Sequence, residues 1–469
     1  MASKSKIIAE LFEADGDIIA SALDNVTVTP TAVSDQPNTS TGGFTLPSGT
    51  TAQRPSSPDT GESRFNTDLT AMENWTGTEW LKVSVAIPSI TSISGDINDA
   101  WQSNLILTGL NFLASAGKVI FTPSGASAIE VSVTPTSDSQ ITVAVPAAIY
   151  GLSAGTSVGI EYENSDGASS ISSLTKTVVA TPSGGTITTD GNARIHTFLS
   201  SGTFAPGSLI TSVRYLMVAG GGGGAPIGGG GGAGGLLASN SKTVSNQNYT
   251  VTIGAGANGG GDSIQASQGG NTTFAGLTAI GGGGGGAHAG GSNSTPGGNG
   301  GSGGGSGDNA GTYGPGAGTS GQGNNGGSGS SAFGNSNRAG GGGGGAGGVG
   351  ANTPNPHGGI GVQNDINGTN HYWAGGGGGA PYGGSTNAGN GGLGGGGGGT
   401  AGAGGNSGSA GTGGGSALNS GTNGNNGSDT VGGVGGANTG GGGGGSGWAF
   451  NGTSIKSGGD GIVIIRYNM

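Results

Sequence analysis

The sequence predicts a mainly β, multidomain chain. Its expected parts are a short N-terminal helix, a small β module, a β-sandwich, and a glycine-rich domain of packed extended helices bracketed by β-strands. Three observations carry this reading. Glycine is segregated: of 120 glycines in 469 residues, 17 lie in residues 1–200 and 103 in residues 201–469. Within residues 87–180, β-prone stretches recur every 8–15 residues with no helical pattern between them, the signature of an antiparallel sandwich. The glycine tract is framed by two β-prone stretches, YLMVA at 215–219 and IVIIRY at 462–467. Pairing of those two would close the tract into one domain.

Charge divides at the same place. Residues 1–200 carry 8 Lys/Arg against 19 Asp/Glu, and the remainder carries 5 against 5. Neither half offers a basic face for a phosphate backbone, so no nucleic-acid partner is expected. No apolar run reaches the roughly 18 residues of a membrane span, so membrane insertion is not expected either. The first 20 residues mix Lys4, Lys6, Glu10, Glu13, Asp15 and Asp17 with isoleucines, which gives no signal-peptide core. Cysteine is absent, and with it disulfides, thiolate catalysis and Cys-based metal sites.

Residues 1–48 read as a helix and a linker. Ser3 is an N-cap candidate, Ile7, Ile8, Leu11 and Phe12 follow at helical spacing, and Asp15-Gly16-Asp17 breaks the pattern. So short a helix is marginal alone, so its apolar stripe needs a partner: its own chain, a second copy or another protein. Residues 49–84 form the small β module, in which Pro55, Pro58, Gly61 and Gly77 separate short segments bearing Phe65, Trp75 and Trp80. A segment that short cannot bury both tryptophans by itself, and packing across chain copies is expected.

The pattern of Gln53, Arg54, Pro55, Pro58, Gly61, Arg64, Asn66, Glu73, Trp75, Gly77 and Trp80 resembles a short β-module of bacteriophage tail fibres. Phe65 stands where that family more often has tyrosine. The resemblance implies a trimeric fibre, with the N-terminal part attached to other tail or baseplate proteins. Ile7, Ile8, Leu11, Phe12, Trp75 and Trp80 are then the candidates for attachment and oligomerisation. Residues 85–180, with Leu107-Thr108-Gly109, Asn111-Phe112, Val145-Pro146 and Asn164, Asp166 and Gly167, resemble an immunoglobulin-like domain of the IPT/TIG type. That resemblance implies a spacer or binding module without catalysis.

Residues 181–469 hold glycine runs of nearly constant length, five or six, at 220–224, 228–232, 281–286, 340–345, 375–379, 394–399 and 440–445. A flexible linker is the default for such composition. The uniform runs, the framing strands, and the aromatics Tyr313, Phe333, Tyr372, Trp373, Tyr382, Trp448 and Phe450 argue for order instead. Helix and ordinary sheet suffer from glycine's backbone entropy, and no Gly-X-Y period supports collagen. Stacked threefold polyglycine-II helices remain. Lacking Cβ, such strands approach closely on every side, and each N–H and C=O bonds to a neighbour. The stretches HTF and SGTF at 196–204, YLMVAGGGGG at 215–224 and GGDGIVIIRY at 458–467 resemble the glycine-rich domain of phage tail fibres and tail-tip adhesins. This implies a receptor-binding tip located on a virion tail, assembled in the host cytoplasm without a signal peptide.

Chemical motifs are weak against this background. G-x-G-x-x-G arises by chance in so much glycine, and Gly117-Lys118 is followed by Val119, which is no Walker A. His196, His288, His357 and His371 are scattered, and no G-x-S-x-G elbow frames a serine. No catalysis, cofactor or metal is expected. The inter-run segments 287–296, 308–339, 351–374, 380–390 and 416–439 read as exposed loops on a rigid scaffold, the usual place for recognition. Tyr313, Phe333, His357, Asn370, His371, Tyr372, Trp373 and Tyr382 are the candidates for contacting a host receptor, whether polysaccharide or outer-membrane protein. A purely structural spacer is the alternative.

Overall fold

The computed structural model describes residues 46–69, 71–83, 87–113, 116–164, 168–170, 173–261, 263–288, 294–308, 313–330, 338–382, 386–401, 408–426, 431–447 and 457–468. Ile7, Ile8, Leu11 and Phe12 of the expected N-terminal helix, and Phe333, Trp448 and Phe450, lie outside the described residues. The chain divides into two compact units, Met1–Ala86 and Ile87–Met469.

The first unit holds β1 (Ser48–Gly49), β2 (Ser63–Asn66), β3 (Ala71–Trp75) and β4 (Trp80–Val83), hydrogen-bonded in that order. Strand β1 runs parallel to β2, and the others are antiparallel. Gly77, at φ +98°, makes the β3–β4 turn with a backbone that L side chains rarely adopt. The covered face of this sheet is polar. Glu73 is fully buried. Arg54 donates to its carboxylate from Nε at 3.2 Å and Nη2 at 2.6 Å, and Asn66 Nδ2 donates at 3.0 Å. Arg64 lies 3.5 Å from the same carboxylate and donates to the Gln53 and Thr50 carbonyls. The Arg54 hydrogen bonds, with those of Asn66, hold the Glu73 carboxyl below its usual range despite burial. The motif residues Gln53, Arg54, Arg64, Asn66 and Glu73 thus form one network, whose members satisfy one another where a segment this short has no room for an apolar core. Trp75 and Trp80 are cross-strand partners with ring centroids 5.8 Å apart, both half-buried.

In the second unit, β5 (Ser89–Ser94), β6 (Asn104–Leu110), β7 (Gly117–Pro123), β8 (Ile129–Val133), β9 (Gln140–Ala144), β10 (Ser157–Glu163) and β11 (Leu174–Thr177) build the expected antiparallel sandwich. Its sheets are ordered β5-β6-β9 and β11-β10-β7-β8. Alternation is clean in β6, where Leu105, Leu107 and Gly109 face in and their neighbours face out. Leu105, Leu107, Ile141 and Val143 of one sheet share a core with Val119, Phe121, Ile160 and Tyr162 of the other. Contrary to the expectation of no helix between these strands, Pro146 starts a single helical turn, α1 (Ala147–Tyr150), which buries Ile149. Four residues are too few to leave a periodic pattern.

The remaining strands are β12 (Thr186–Asp190), β13 (Ala193–Phe198), β14 (Gly202–Phe204), β15 (Ser212–Val218), β16 (Leu236–Thr243), β17 (Tyr249–Val251), β18 (Thr272–Phe274), β19 (Leu277–Ala279), β20 (Val362–Asn364), β21 (His371–Trp373) and β22 (Ile462–Asn468). Five of them form an antiparallel sheet in the order β12-β13-β22-β15-β16. The two framing strands do pair, with Tyr215 opposite Ile465 and Val218 opposite Ile462. Both faces of this sheet are covered, so β22 reads as an unbroken apolar run. Val463, Ile465 and Tyr467 join Phe204, Val251 and Phe274 on one face. Ile462 and Ile464 join Leu216, Ile366 and Trp373 on the other. The sandwich meets this sheet through Arg194, whose guanidinium lies 4.7 Å from the Trp101 ring centroid, and through Thr181, whose N–H donates to Asp99 Oδ1 at 2.9 Å.

Buried His196 ties β13 to the C-terminal strand. Its Nδ1 is 2.7 Å from the Gly184 carbonyl, which only accepts, so Nδ1 carries the proton. Nε2 then accepts from the Tyr467 hydroxyl at 2.9 Å. Burial pushes the His196 pKa below its ordinary value and the Tyr467 pKa up to about 12. A histidine held neutral loses its stabilising share as pH falls below its unfolded value of about 6.5, and a tyrosine held neutral loses its share as pH rises past about 10. Thermal melting followed against pH is therefore expected to show a plateau between those limits. His196→Gln should flatten the acid limb and Tyr467→Phe the alkaline one.

From this sheet the glycine runs extend as a lattice. In 228–234, successive amides donate to three different neighbours with a period of three. Gly229 and Gly232 donate to Gly286 and Gly283, Gly230 and Ala233 to Gly341 and Gly344, and Gly231 and Gly234 to Gly443 and Gly440. Its carbonyls accept from three more. Gly232 and Gly229 accept from Gly222 and Ala225, Ala233 and Gly230 from Ser302 and Gly305, and Gly231 and Gly228 from Gly377 and Ala380. One run is thus surrounded by six, three receiving its hydrogen bonds and three supplying them. Threefold periodicity of this kind belongs to the polyproline-II-type helix. Here these obligatory backbone bonds are made between runs. Partner numbers falling as donor numbers rise mark antiparallel neighbours, and the 340–345 run is parallel.

Candidate recognition surface

The hydrogen-bond register fixes which end of the lattice each segment occupies. The run 220–225 leaves β15 at the sheet end, and 228–234 returns to it. Following the pairings outward, residues 226–227, 288, 294, 308, 313, 330, 338, 353–355, 382, 386, 401, 408, 426, 431 and 447 stand at the far end. The described turns 319–322, 346–348, 393–395, 416–420 and 437–439 stand at the sheet end, together with the β20–β21 hairpin.

This division splits the candidate site residues. Half-buried Tyr313 and Tyr382 lie at the far end, and exposed His357 lies near it. The His357 ring is fixed in place, because Nδ1 accepts from the Asn390 amide at 2.9 Å. Asn370, His371, Tyr372 and Trp373 lie at the opposite end, on the hairpin that covers the sheet. Asn370 is exposed, and His371 and Tyr372 are half-buried. Trp373 is a correction. It is fully buried among Leu216, Ile366 and Ile464, and its Nε1–H donates to the Asn364 carbonyl at 3.2 Å. An indole in that position packs the sheet and has no surface to offer a receptor. Phe333 lies outside the described residues.

A second correction concerns the inter-run segments. Most of 316–329, 356–361, 388–392, 421–426 and 431–436 is lattice rather than loop, since these backbones bond to neighbouring runs. Outer strands tolerate side chains on the solvent side, and asparagine is used there for a structural purpose. Asn299, Asn325, Asn352, Asn387, Asn390, Asn423 and Asn426 each accept, through Oδ1, a backbone N–H from an adjacent strand at 2.7–2.9 Å. These side chains finish the lattice edge where no further glycine strand supplies a carbonyl. Asparagine-rich spacers between glycine runs therefore signal lattice rims.

Sequence reasoning missed the cluster that organises the far end. Asp308 is buried. His288 Nδ1 lies 2.7 Å from its Oδ1, the Ser294 hydroxyl donates to that oxygen at 3.3 Å, and Arg338 Nη1 is 3.4 Å from Oδ2. The Arg338 guanidinium stacks 3.7 Å from the Tyr382 ring centroid, and the His288 ring meets that ring edge-on at 5.3 Å. The cation over the ring face and the buried carboxylate behind it fix Tyr382 in one orientation. Isolated charges in a tract with only five Lys/Arg were the available signal. Serine, histidine and aspartate do come together here, but Ser294 and His288 Nδ1 are both directed at one carboxylate oxygen. A nucleophile triad needs the serine on the far ring nitrogen. Among the described residues no group of acidic and histidine side chains is arranged to hold a metal ion, and no helix is long and apolar enough to cross a membrane.

Comparison with curated proteins gives no match. Residues 197–429 match the family model described as a glycine-rich domain, a span that begins in β13 and takes in most of the lattice. By that match, the C-terminal part of the chain carries a glycine-rich domain.

Proposed function

We propose that the protein is a bacteriophage tail-fibre or tail-tip adhesin that recognises a receptor on the bacterial surface with the far end of its glycine lattice. The observation that carries this reading is positional. A bundle hydrogen-bonded from run to run gathers the chain reversals that include Tyr313 and Tyr382 at the end opposite the sheet, where the sandwich is attached. Recognition residues on loops held by a rigid scaffold suit binding at low entropic cost. The resemblance of the first unit to a tail-fibre module supports a virion location. In this reading residues 1–84 join the protein to other tail or baseplate components as a homotrimer, assembled in the host cytoplasm without a signal peptide. The receptor is a surface polysaccharide or an outer-membrane protein. Catalysis, cofactors, nucleic acid and membrane insertion have no part in it.

A second reading, a structural virion spacer, is favoured by one observation: the asparagines of the inter-run segments serve the lattice itself. Adsorption of fluorescent full-length protein to a panel of bacterial cells separates the two. Tyr313→Ala is expected to weaken binding to responsive cells by about tenfold or more, the effect of losing an aromatic anchor. Tyr372→Ala, at the opposite end, should leave binding unchanged. If no cell type is bound, the adhesin reading is wrong and the spacer reading stands; if both variants bind like wild type, the receptor contact does not involve Tyr313.

A further inference from the structure

The small sheet of the first unit is built inside out. Its covered face carries Arg64, Asn66 and Glu73, whereas the opposite face presents Phe65, Met72, Leu81 and Val83, 36%, 39%, 50% and 47% exposed. The register makes this one patch: Phe65 stands opposite Met72, Met72 opposite Val83, and Leu81 lies opposite Asn74. Asn74 Oδ1, on the same side, is shielded from water with no hydrogen-bond partner. An apolar face of this kind on so small a sheet marks a contact surface.

We infer that this face is covered by the chain's own N-terminal segment, docked through the stripe Ile7, Ile8, Leu11 and Phe12. Residues 1–45 lie outside the described residues and lead directly into this sheet. Leu46 precedes β1, and the Pro47 carbonyl accepts from the amide of Phe65, a member of the patch. The 33 residues between Phe12 and Leu46 form a tether whose root-mean-square span is about 30 Å as a flexible coil. That span exceeds the width of a four-stranded sheet, at about 4.8 Å per strand. The stripe is therefore held at an effective concentration of the order of millimolar, enough to keep a modest apolar contact occupied without a second molecule. Each surface supplies what the other lacks: four apolar residues at helical spacing, a pattern too short to hold a helix alone, and a four-residue patch. Docking leaves Trp75 and Trp80 available to assembly partners.

The chain has no cysteine, so paired cysteines report this contact cleanly. Full-length protein carrying Leu11→Cys and Leu81→Cys is treated with a short bismaleimide and analysed by mass spectrometry. The expected product is a link within one chain, at least fivefold more abundant than in a Gln36→Cys, Leu81→Cys control, whose partner lies closer in sequence but off the stripe. Adding Ile7→Asp and Ile8→Asp should reduce the link to the control level. Links chiefly between chains would overturn the inference in favour of a second copy on this face. A yield equal to the control, or one indifferent to the aspartates, would show that the stripe does not cover it. Leu81 is half exposed, and a Val83→Cys pair repeats the measurement from the other end of β4 should Leu81→Cys disturb the sheet.

Discussion

Gly283→Val and Gly342→Val are each expected to destabilise the glycine-rich domain by more than about 3 kcal/mol, the sum of unmade backbone hydrogen bonds and steric overpacking. A Cβ on Gly283 would fall on the carbonyl of Gly298, and one on Gly342 on the carbonyl of His357, far inside van der Waals contact. Both obstructions are backbone, which cannot rotate aside. To admit the side chain, a neighbouring strand must move away, breaking bonds such as Gly232 N–H to Gly283 at 2.8 Å or Gly327 N–H to Gly342 at 2.7 Å. Such a loss is a large share of a typical domain's stability. Gly314 and Gly415 provide the control, because a Cβ there meets nothing within 4 Å. Valine at those two positions should melt like wild type. A flexible chain would treat all four sites alike, so differential melting of the four variants checks the assignment.

Trp373→Ala is expected to cost about 3–5 kcal/mol, as for other large-to-small core changes that leave a cavity. On a domain of this size that lowers the melting temperature by roughly 10 °C. The indole fills the space between the sheet and the β20–β21 hairpin, against Leu216 and Ile464, and its N–H closes the hairpin onto Asn364. Tyr372→Ala, one residue earlier on the outward side, should change melting little. Calorimetry of the pair checks the burial alternation directly. Equal stability in both would mean that the hairpin does not close the sheet.

Much of the architecture was legible because its physics is local. A pure glycine run admits few ordered states, and the framing stretches YLMVA and IVIIRY had the apolar continuity of strands covered on both faces. β-prone stretches recurring every 8–15 residues located the sandwich. The polar network around Glu73 corresponds to motif residues that were visible as a pattern, although no side-chain periodicity foretold a buried carboxylate. What was not legible depends on long-range pairing. Glycine runs carry no side-chain pattern, so nothing in them says which are parallel or which end a reversal faces. Tyr313 and Tyr372 therefore looked equivalent in sequence and lie at opposite ends. Trp373 was misread because Asn370, His371 and Tyr372 give its neighbourhood the composition of a recognition loop. A three-residue strand pairing with Val362–Asn364 decides its burial instead. The segments carrying the rim asparagines were read as loops for the same reason: the partners of those asparagines are amides 7 to 24 residues away.

The claim on which everything else rests is that the glycine runs are a hydrogen-bonded lattice. Amide hydrogen exchange of the full-length protein, read by NMR on glycine-labelled material, tests it most directly. Amides of 229–234 and 442–444, each bonded to a neighbouring run, are predicted to exchange only through global unfolding of the domain, together with the β15 and β22 amides. Exchange of those glycines at the rate of an unstructured chain, while the framing strands stay protected, would contradict the lattice.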